Sequence, residues 1–408
     1  MIIKFLGFTD VLTLYRLGQI FGVFGLTALA LQVVMSARIR FIEKKIGYPR
    51  LLKLHSLNAK LAFFFILLHP VLIIWDLNRL GQSIGQTILS FTIFHFLGTF
   101  ALVLMIVTIL LTVYQAKIRL NYEHWKIIHK VGYLIILLGF THSFFVGTDI
   151  NSRSLPFYWW LFLGVLVLFA VCYRFIYRRI LLRKSVFRIA KIMSETKDVR
   201  SIYFEKTDSG SIFNYRPGQF AFVRFFNPRL SSEEHHFTIS SSPKDKYLRM
   251  TIKESGDFTR TLGNLRVGDI ATIEGPFGVF SSAGLSNPLI YIAGGIGITP
   301  FISMLRHEAQ EKRTKPVILF YSVKTKQDSV FYHEIEKLKK ENPWFKAYYR
   351  ITETEGRLTV NFLQKHANLK KSKIFICGPK PMIDALTKDL SPLIRNPNYI
   401  ITEKFALK

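Results

Sequence analysis

Five long apolar segments in the first 180 residues restrict the fold of this chain more than any other feature of its sequence. Each is about as long as the roughly 20 apolar residues that cross a hydrocarbon core. The segments are residues 17–35, 57–75, 94–114, 127–146 and 157–176. We therefore predict an integral membrane protein with five membrane-spanning helices. A shorter apolar start, residues 1–8, is expected either to lie at the interface or to be the remnant of a sixth span.

The positive charge of the chain is unevenly distributed. The 55 Lys and Arg residues outnumber the 27 Asp and Glu, and a net charge of +28 would ordinarily suggest a nucleic-acid partner. In the apolar half, however, basic residues crowd the first and third connections and the stretch after the last segment, whereas the second and fourth connections have Arg79 and Arg153 alone. Since basic loops mark the cytoplasmic side, the charge predicts orientation in the cell (inner) membrane, with a cytoplasmic C-terminal half and no nucleic-acid partner.

The number and spacing of the cysteines exclude three kinds of cysteine site. Cys172 and Cys377 lie far apart in the sequence and belong to no CxxC or CxxCH motif. This pattern excludes a disulfide framework, a thiolate metal cluster and covalent c-type haem. Any haem in this chain must therefore be held by histidine.

Four histidines of the apolar half lie in pairs at two matched depths. His55 and His69 are 14 residues apart and His129 and His142 are 13 apart, which corresponds to axial separations of about 21 and 20 Å. Two imidazoles facing each other at one depth are the axial ligands of a six-coordinate b-type haem. A single membrane histidine could simply hydrogen-bond a neighbouring helix, but four at paired heights predict two stacked b-type haems.

The 13-residue step carries a geometric difficulty. On a regular helix it leaves the two histidines roughly 140° apart, so we expect the fourth segment to bend or bulge, for which Gly132 and Gly139 offer places, or its haem to rotate. His124 has the better helical phase relative to His142, but depth favours His129. His95, at the outer edge of the third segment, is either an interfacial residue or a neighbour of the outer haem.

The second half of the chain alternates short β-rich runs with Gly and Pro. Runs at residues 200–204, 219–225 and 247–253 predict antiparallel strands and a small barrel. A buried-looking strand at 288–293 then leads into a glycine turn and a helical pattern at 301–310. Later β-rich runs separated by helical stretches predict an α/β domain whose ligands bind at the carboxyl ends of the strands.

Polar and glycine-rich motifs stand at several of these strand ends. Two of them offer hydroxyls, a cation and exposed backbone, which suits an anionic flavin nucleotide; they are His235-His236-Phe237-Thr238, and Lys253 followed by Gly256-Asp257-Phe258-Thr259. The turn Gly294-Gly295-Ile296-Gly297-Ile298-Thr299-Pro300 lets backbone amides and a helix N-terminus approach a pyrophosphate. Ser322 and Lys324 follow one further strand end, and Cys377-Gly378-Pro379 another. Any one of these motifs alone could be an ordinary polar strand end.

Taken in order, these motifs resemble the ferric reductase and NADPH oxidase family, over about residues 11–405. His235-His236-Phe237-Thr238 is similar to its flavin motif, with His236 in place of the usual proline. The resemblance implies an inner haem on His55 and His129 and an outer haem on His69 and His142. It also implies that Cys377-Gly378-Pro379 lies beside the nicotinamide, and that Phe405 stacks on the isoalloxazine and yields to nicotinamide.

The resemblance implies a multi-domain membrane protein with three parts. They are an α-helical transmembrane haem bundle over residues 1–182, an antiparallel β-barrel FAD domain over 183–284 and an α/β NADPH-binding domain over 285–408. In such a protein NADPH reduces FAD, and electrons cross two haems to extracytoplasmic O₂, producing superoxide. Arg16 is a candidate for steadying a haem propionate or the nascent anion, although a snorkelling interface arginine also explains it. Ser322 and Lys324, with no acid beside them, favour NADPH without excluding NADH.

Two other functions remain open. A ferric or cupric chelate reductase would use the same electron path and end on a metal complex, and a haem-carrying electron-transfer subunit would depend on a soluble partner. The sequence has no EF-hand loop or proline-rich tail. We therefore expect the lipid bilayer and O₂ or a metal chelate as partners, with no obligatory regulatory subunit.

Overall fold

The computed structural model of the chain describes residues 13–115, 117–120, 122–148, 150, 154–207, 213–231, 233–394 and 396–404. The chain divides into two compact units, Met1–Arg179 and Ile180–Lys408, and each is considered by itself. Two sequence predictions lie outside the described residues: the apolar start at residues 1–8 and the stacking role of Phe405. The limits of the three predicted domains remain predictions.

The first unit is a bundle of apolar helices. All five predicted segments are confirmed as helices, each long and apolar enough to cross a membrane. The bounds are α1 (Leu14–Ser36), α2 (Arg40–Ile46), α3 (Tyr48–Arg79), α4 (Ile84–Leu89), α5 (Ile93–Val113), α6 (Tyr122–His129), α7 (Gly132–Val146) and α8 (Leu155–Cys172), followed by a π-helical turn, Tyr173–Tyr177.

Small and polar residues hold these helices together. A Cβ atom on Gly25 of α1 would lie 2.5 Å from Ile66 of α3, so the glycine permits the close approach of these two helices. The Asn58 side chain donates to the carbonyl of Ala28 at 2.7 Å, and the indole of Trp160 donates to the Ser143 hydroxyl at 3.0 Å. Such bonds matter in lipid because a polar group there finds no water to replace a lost partner.

The fourth segment is broken where the histidine spacing requires it. Helix α6 ends at His129 and α7 begins at Gly132. Across the break the amides of Lys130, Val131 and Tyr133 each bond the carbonyl three residues earlier, which tightens the backbone locally. The predicted bend is therefore confirmed at Gly132, and α7 continues through Gly139 without interruption.

The second unit begins with a six-stranded antiparallel sheet, in agreement with the predicted strands. Its order is β4-β3-β6-β1-β2-β5. The edges β4 and β5 meet through a single bridge, Ile239 to Met250, so the sheet curls like a barrel without being closed by continuous pairing. The bounds are α9 (Arg178–Arg183), β1 (Val186–Thr196), β2 (Val199–Lys206), β3 (Phe220–Phe226), β4 (His235–Thr238), β5 (Leu248–Lys253), α10 (Asp257–Thr261) and β6 (Ile270–Phe277).

A five-stranded sheet with parallel pairing follows, in the order β11-β10-β7-β8-β9. The chain runs outward from β7 in one direction and returns to add β10 on the other side, so β7 and β10 flank a topological switch point. Ligands of open α/β sheets bind at such a point. The bounds are β7 (Leu289–Gly294), α11 (Thr299–Gln310), β8 (Val317–Val323), α12 (Tyr332–Glu341), β9 (Phe345–Ile351), α13 (Thr352–Glu355), α14 (Val360–His366), β10 (Lys373–Gly378), α15 (Lys380–Leu390) and β11 (Ile400–Lys404).

A partly buried ion-pair network joins the antiparallel sheet to two helices of the parallel one. Arg249 of β5 donates to Glu334 of α12 at 2.9 Å, and its guanidinium lies 4.6 Å from the centre of the Phe331 ring. Arg306 of α11 binds the same Glu334 and also Asp245. Burial alone would raise the pKa of Glu334, but the charges of the two arginines outweigh it and leave that pKa below its usual value. The carboxylate thus stays ionised and ties the antiparallel sheet to the helices of the parallel one.

Replacing Glu334 with glutamine is expected to destabilise this unit by about 3 kcal/mol, because Arg249 would remain buried without its counter-charge. We expect the midpoint of thermal flavin release to fall by roughly 6–12 °C. As the pKa is lower in the folded state, the stabilisation is complete above the unfolded-state pKa of about 4.3 and is lost as the pH falls below it. Glu341→Gln, which breaks an exposed pair with Lys337 on the same helix, is the control and should change little.

Candidate functional site

The predicted outer histidines face each other across the helical bundle. His69 of α3 and His142 of α7 have ring centres 6.3 Å apart, with their planes at 78°. Each ring is anchored by its Nδ1 atom, that of His69 to the carbonyl oxygen of Gly18 at 2.7 Å and that of His142 to the carbonyl oxygen of Phe94 at 2.9 Å. Since a carbonyl can only accept, Nδ1 must carry the proton in both rings. Nε2 is then left as the free ligand atom of each.

The predicted inner histidines also form a facing pair. The ring centres of His55 and His129 are 6.0 Å apart, with planes at 57°. The indole of Trp125 stacks on the His129 ring, 4.9 Å away. Among the described residues, neither imidazole of this inner pair has a hydrogen-bond partner. The two pairs therefore have similar spacing but different surroundings.

Both spacings suit two imidazoles that share one metal ion. An imidazole nitrogen binds a metal at about 2 Å, which places the centres of two opposed rings roughly 6 Å apart. Within the described ranges, no group of three or more His, Cys, Asp or Glu side chains could hold a metal ion. A bare ion needs such a set of protein ligands, whereas a haem iron needs only axial ones because the porphyrin supplies the others. The residues present thus fit two haems, and the ligand assignment itself stays a prediction.

Three other residues of this unit were singled out in the sequence. The His95 ring lies 6.3 Å from that of His142, and its Nδ1 accepts from the Thr92 amide at 3.1 Å. Of the two interpretations of His95, the distance to His142 favours a neighbour of the outer pair over a purely interfacial residue. His124 is exposed on α6. Arg16 is exposed in the first turn of α1, and its role near a propionate or an anion remains a prediction.

The two predicted flavin motifs come together in the antiparallel sheet. The ring of His235 in β4 stacks on that of Phe258 in α10, with centres 3.7 Å apart and planes at 15°. His236, which stands where proline is usual, continues the strand opposite Phe222 without a turn. The substitution therefore leaves β4 intact, because the backbone amide that proline lacks is compatible with strand pairing.

The loop that follows β5 is shaped by the second flavin motif. The Thr259 hydroxyl accepts from the amides of Ser255 and Gly256, each at 2.9 Å, and so caps α10. Asp257 is exposed at the start of that helix. Lys253 pairs with Asp198 at 3.2 Å and lines a cavity that also contains the glycine turn. The predicted flavin cation thus faces the nucleotide side of the unit.

The cavity has a volume of about 460 Å³ and lies at the switch point of the parallel sheet. Half of the residues predicted for the dinucleotide line it: Gly294, Gly295, Ile296, Ser322, Lys324 and Pro379. Sequence reasoning missed three charged residues of the lining, Asp198, Asp328 and Arg357. The expectation that no acid stands near Ser322 and Lys324 is therefore wrong. Asp328, six residues after Ser322 in the chain, lines the same cavity. Lys324 also has an acidic partner, Glu353, at 3.4 Å.

The glycine turn packs tightly against the end of β10. A Cβ atom on Gly297 would lie only 2.3 Å from the carbonyl oxygen of Cys377. Gly295 has a backbone φ of +55°, which residues other than glycine rarely adopt. Thr299 and Pro300 are buried at the start of α11, where proline is favourable. The turn thus presents the backbone of Gly294, Gly295 and Ile296 to the cavity, and its role in binding a pyrophosphate stays a prediction.

A buried thiol and a carboxyl group lie side by side near this turn. Cys377 of β10 is paired in register with Glu403 of β11. Burial raises the pKa of the Cys377 thiol, and the neighbouring Glu403 raises it further, so the thiol stays protonated. Burial also raises the pKa of Glu403 to about 8. Sequence reasoning did not single out Glu403, because a strand pairing between distant segments puts it beside Cys377.

Comparison with known proteins divides the chain into three matched parts. Residues 21–140 match the family "Ferric reductase like transmembrane component", residues 186–281 the "Oxidoreductase FAD-binding domain" and residues 291–388 the "Oxidoreductase NAD-binding domain". The matched ranges contain both histidine-bearing segments up to residue 140, both flavin motifs and the glycine turn. The flavin and nucleotide-binding domains predicted from these motifs are confirmed.

Individual relatives match about half of the chain. Flavohemoprotein A of Dictyostelium discoideum is 29% identical over 225 residues, which cover 51% of this chain and 56% of that protein. The reductase component of propane 2-monooxygenase from Mycolicibacterium smegmatis is 26% identical over 214 residues, 48% of this chain and 61% of that one. The match thus spans little more than half the length of these relatives.

Solved structures also match the second half of the chain. The FAD/NAD-binding domain of a nitric oxide dioxygenase from Vibrio cholerae has a TM-score of 0.49 and 22% identity, covering 54% of this chain and 98% of that one.

Proposed function

We propose that this chain is a transmembrane NADPH oxidase. It joins a ferric reductase-like transmembrane domain to FAD-binding and NAD-binding oxidoreductase domains, which is the architecture of the ferric reductase and NADPH oxidase superfamily. It would take electrons from cytoplasmic NADPH and deliver them to O₂ on the other side of the membrane, producing superoxide. Bound FAD would accept hydride from NADPH, and two b-type haems would carry single electrons across the bilayer.

The two facing histidine pairs carry this proposal. Ring centres 6.0 and 6.3 Å apart are suited to bis-imidazole ligation, and the spacing of 14 and 13 residues along α3 and the broken fourth segment separates the two sites along the membrane normal. Two haems held by His55 with His129 and by His69 with His142 would have no open coordination position for O₂. Oxygen would therefore be reduced by outer-sphere transfer, with His95 as a neighbouring side chain 6.3 Å from His142 and Arg16 as the proposed cation for the anion that forms.

A haem count and an acceptor assay on the purified full chain test the proposal. We expect two b haems per chain in a pyridine haemochrome spectrum and one FAD. Under air, NADPH should drive cytochrome c reduction that superoxide dismutase suppresses. A chain without haem would overturn the whole proposal, whereas two haems without superoxide would overturn only the acceptor.

A ferric or cupric chelate reductase is the second candidate, and one observation favours it: the family that matches the membrane half is named for ferric reductases. The electron path would be unchanged, and only the last acceptor would differ. Fast turnover with a ferric chelate, together with dismutase-insensitive cytochrome c reduction under air, would establish this alternative. An electron-transfer subunit without its own reductase is less well supported, because the FAD-binding and NAD-binding domains belong to the same chain.

Arg357 and Lys324 are proposed to bind the 2′-phosphate that distinguishes NADPH from NADH. Both are cations of the cavity lining, and Ser322 offers a hydroxyl beside them. Asp328 is the acid that could instead bind the ribose hydroxyls of NADH, but its Oδ2 already accepts from the amide and hydroxyl of Thr325, at 3.0 and 2.8 Å. Lys324 would exchange its exposed pair with Glu353 for the more highly charged phosphate, while Asp198 keeps its pair with Lys253.

Replacing Arg357 with alanine should lower kcat/KM for NADPH by about 10- to 100-fold and leave NADH turnover within about two-fold, because a charge-assisted hydrogen bond to a phosphate is worth roughly 1.5–3 kcal/mol. Dye reduction by the full chain with each nucleotide measures the ratio. Lys346→Ala, an exposed cation on β9 of the same lobe, is the control. An equal loss with both nucleotides would contradict a role in 2′-phosphate recognition.

A further inference from the structure

The two outer histidines are anchored by the same local arrangement on two different helices. His69 meets the carbonyl of Gly18 in α1, and His142 meets that of Phe94 in α5. In each helix, the residue four positions after that carbonyl is a glycine, Gly22 in α1 and Gly98 in α5.

Both glycines lie directly against the imidazole rings. A Cβ atom on Gly22 would stand 2.9 Å from Nδ1 of His69 and 3.0 Å from its Cε1. On Gly98 it would stand 2.6 Å from Nδ1 of His142 and 2.8 Å from its Cε1. Real Cβ atoms essentially never come this close to another heavy atom. Neither ring could keep its present position beside an alanine.

Helix geometry explains why the glycine stands four residues after the carbonyl. In an α-helix the Cα–Cβ bond tilts toward the N-terminus, so the side chain at i+4 lies over residue i. A Cβ atom at i+4 therefore covers the outer side of the carbonyl oxygen of residue i. A second hydrogen-bond donor would have to approach the free lone pair of that oxygen from this side. Without a Cβ at i+4, the carbonyl can accept from the helix amide and from an imidazole at the same time.

The inner pair lacks this arrangement. In the part of the chain that the structure describes, the ring nitrogens of His55 and His129 have no hydrogen-bond partner, and no glycine has a Cβ position within 4 Å of either ring among its three nearest neighbours. The carbonyl anchor is thus specific to the outer pair. A histidine that donates Nδ1–H to a carbonyl is fixed in tautomer and orientation and is a more basic ligand through Nε2.

We propose that Gly22 and Gly98 are positioning residues for the outer haem, which open the carbonyls of Gly18 and Phe94 to the Nδ1–H groups of its two ligands. The inference rests on the proposed bis-histidine ligation. Its consequence would be an asymmetry between the two haems. The outer iron would have two ligands of raised basicity, which stabilise its oxidised form, whereas the inner iron would have no such ligand among the described residues.

The test is a set of glycine substitutions in the full chain. Gly22→Ala and Gly98→Ala should each either reduce the pyridine haemochrome count from two haems per FAD to one, or retain the outer haem with a raised midpoint potential and altered low-spin EPR signal. The inner haem should keep its wild-type potential and signal. Reduction of a soluble dye by NADPH should also be unchanged, since the flavin-containing unit is separate.

Gly25→Ala is the matched control. It lies one turn further along α1, and its Cβ would meet Ile66 at 2.5 Å, a clash as severe as that of Gly22 but with an aliphatic side chain. It should retain both haems, and because it separates α1 from α3 without contacting an imidazole, any shift of the outer-haem potential should be smaller than with Gly22→Ala. Gly22→Ala and Gly98→Ala chains that bind two haems with wild-type potentials and EPR signals would overturn the inference, as would loss of both haems together in the two variants. A wild-type chain without two haems would instead refute the proposed function.

Discussion

His142→Ala is expected to remove one of two haems and to lower acceptor reduction outside the membrane at least about 100-fold, while NADPH-dependent reduction of a soluble dye is retained. The imidazole is one of the two protein ligands that the outer iron would have. Without it, Nε2 of His69 would be the one remaining ligand, because the described residues contain no group of three or more side chains that could hold a metal ion and Nδ1 of the neighbouring His95 already accepts from the Thr92 amide. A single axial bond leaves the haem weakly held and changes its potential, because axial ligands are a main determinant of both.

The same result is expected for His69→Ala, because the two rings occupy equivalent positions 6.3 Å apart. The measurements are the pyridine haemochrome count, superoxide-dismutase-sensitive cytochrome c reduction and dye reduction, all on the purified full chain. The dye accepts electrons from the flavin, so its rate reports on the second unit alone.

His124→Ala is the control for these variants. This histidine is exposed, lies five residues before His129 in the same helix, and has no described contact with a ligand ring. It should keep two haems and normal turnover. Two outcomes for His142→Ala would contradict the assignment of acceptor reduction to the outer histidine pair and of dye reduction to the second unit. One is a loss of dye reduction to the same extent as acceptor reduction, and the other is retention of both haems with wild-type spectra.

Gly297→Ala is expected to lower kcat/KM for NADPH at least about 100-fold without releasing FAD or haem. The new Cβ would lie 2.3 Å from the carbonyl oxygen and 2.7 Å from the carbonyl carbon of Cys377. These atoms belong to the backbone of a central strand, so they cannot move aside as the end of a flexible side chain can. The turn must instead separate from β10, and its amides then lose their alignment with the pyrophosphate, for which a displacement of about 1 Å is already costly.

Dye reduction at varied NADPH concentration measures this loss, and flavin and haem spectra show whether the rest of the chain is intact. Gly263→Ala is a suitable control, because its Cβ would meet only the guanidinium end of Arg200, at 3.3 Å. Chemical reduction of the haems by dithionite should be normal in both variants. Wild-type NADPH kinetics in Gly297→Ala would contradict the assignment of the turn to the nucleotide.

The elements of both units could be predicted because their signals are local. Apolar length identifies a membrane-spanning helix, and alternation bounded by Gly and Pro identifies a strand, since each follows from the backbone hydrogen bonds of one segment. The break after His129 could also be anticipated, because a 13-residue step on a regular helix puts the two histidines on different faces. The short helix α2, between the first two spans, carried no comparable signal and was not predicted.

The site could be predicted only where the contributing residues belong to one motif. The glycine turn and the flavin motifs are contiguous, so their chemistry is visible in the sequence. Asp328, Arg357 and Glu403 are not contiguous with any of them, and parallel strand pairing brings them to the cavity or to Cys377. The argument for NADPH from Ser322 and Lys324 was incomplete for the same reason.

The sequence by itself determined how many helices span the membrane, the depth of each histidine and the order of the domains, because helical rise and hydropathy depend on residues close together in the chain. Only the tertiary structure decided which carbonyl anchors His69 and His142, and that Gly22 and Gly98 make room for those rings. It also decided which charges face the nucleotide cavity. Such features depend on the packing of helices and strands that are tens of residues apart, and no local pattern encodes the distance between them.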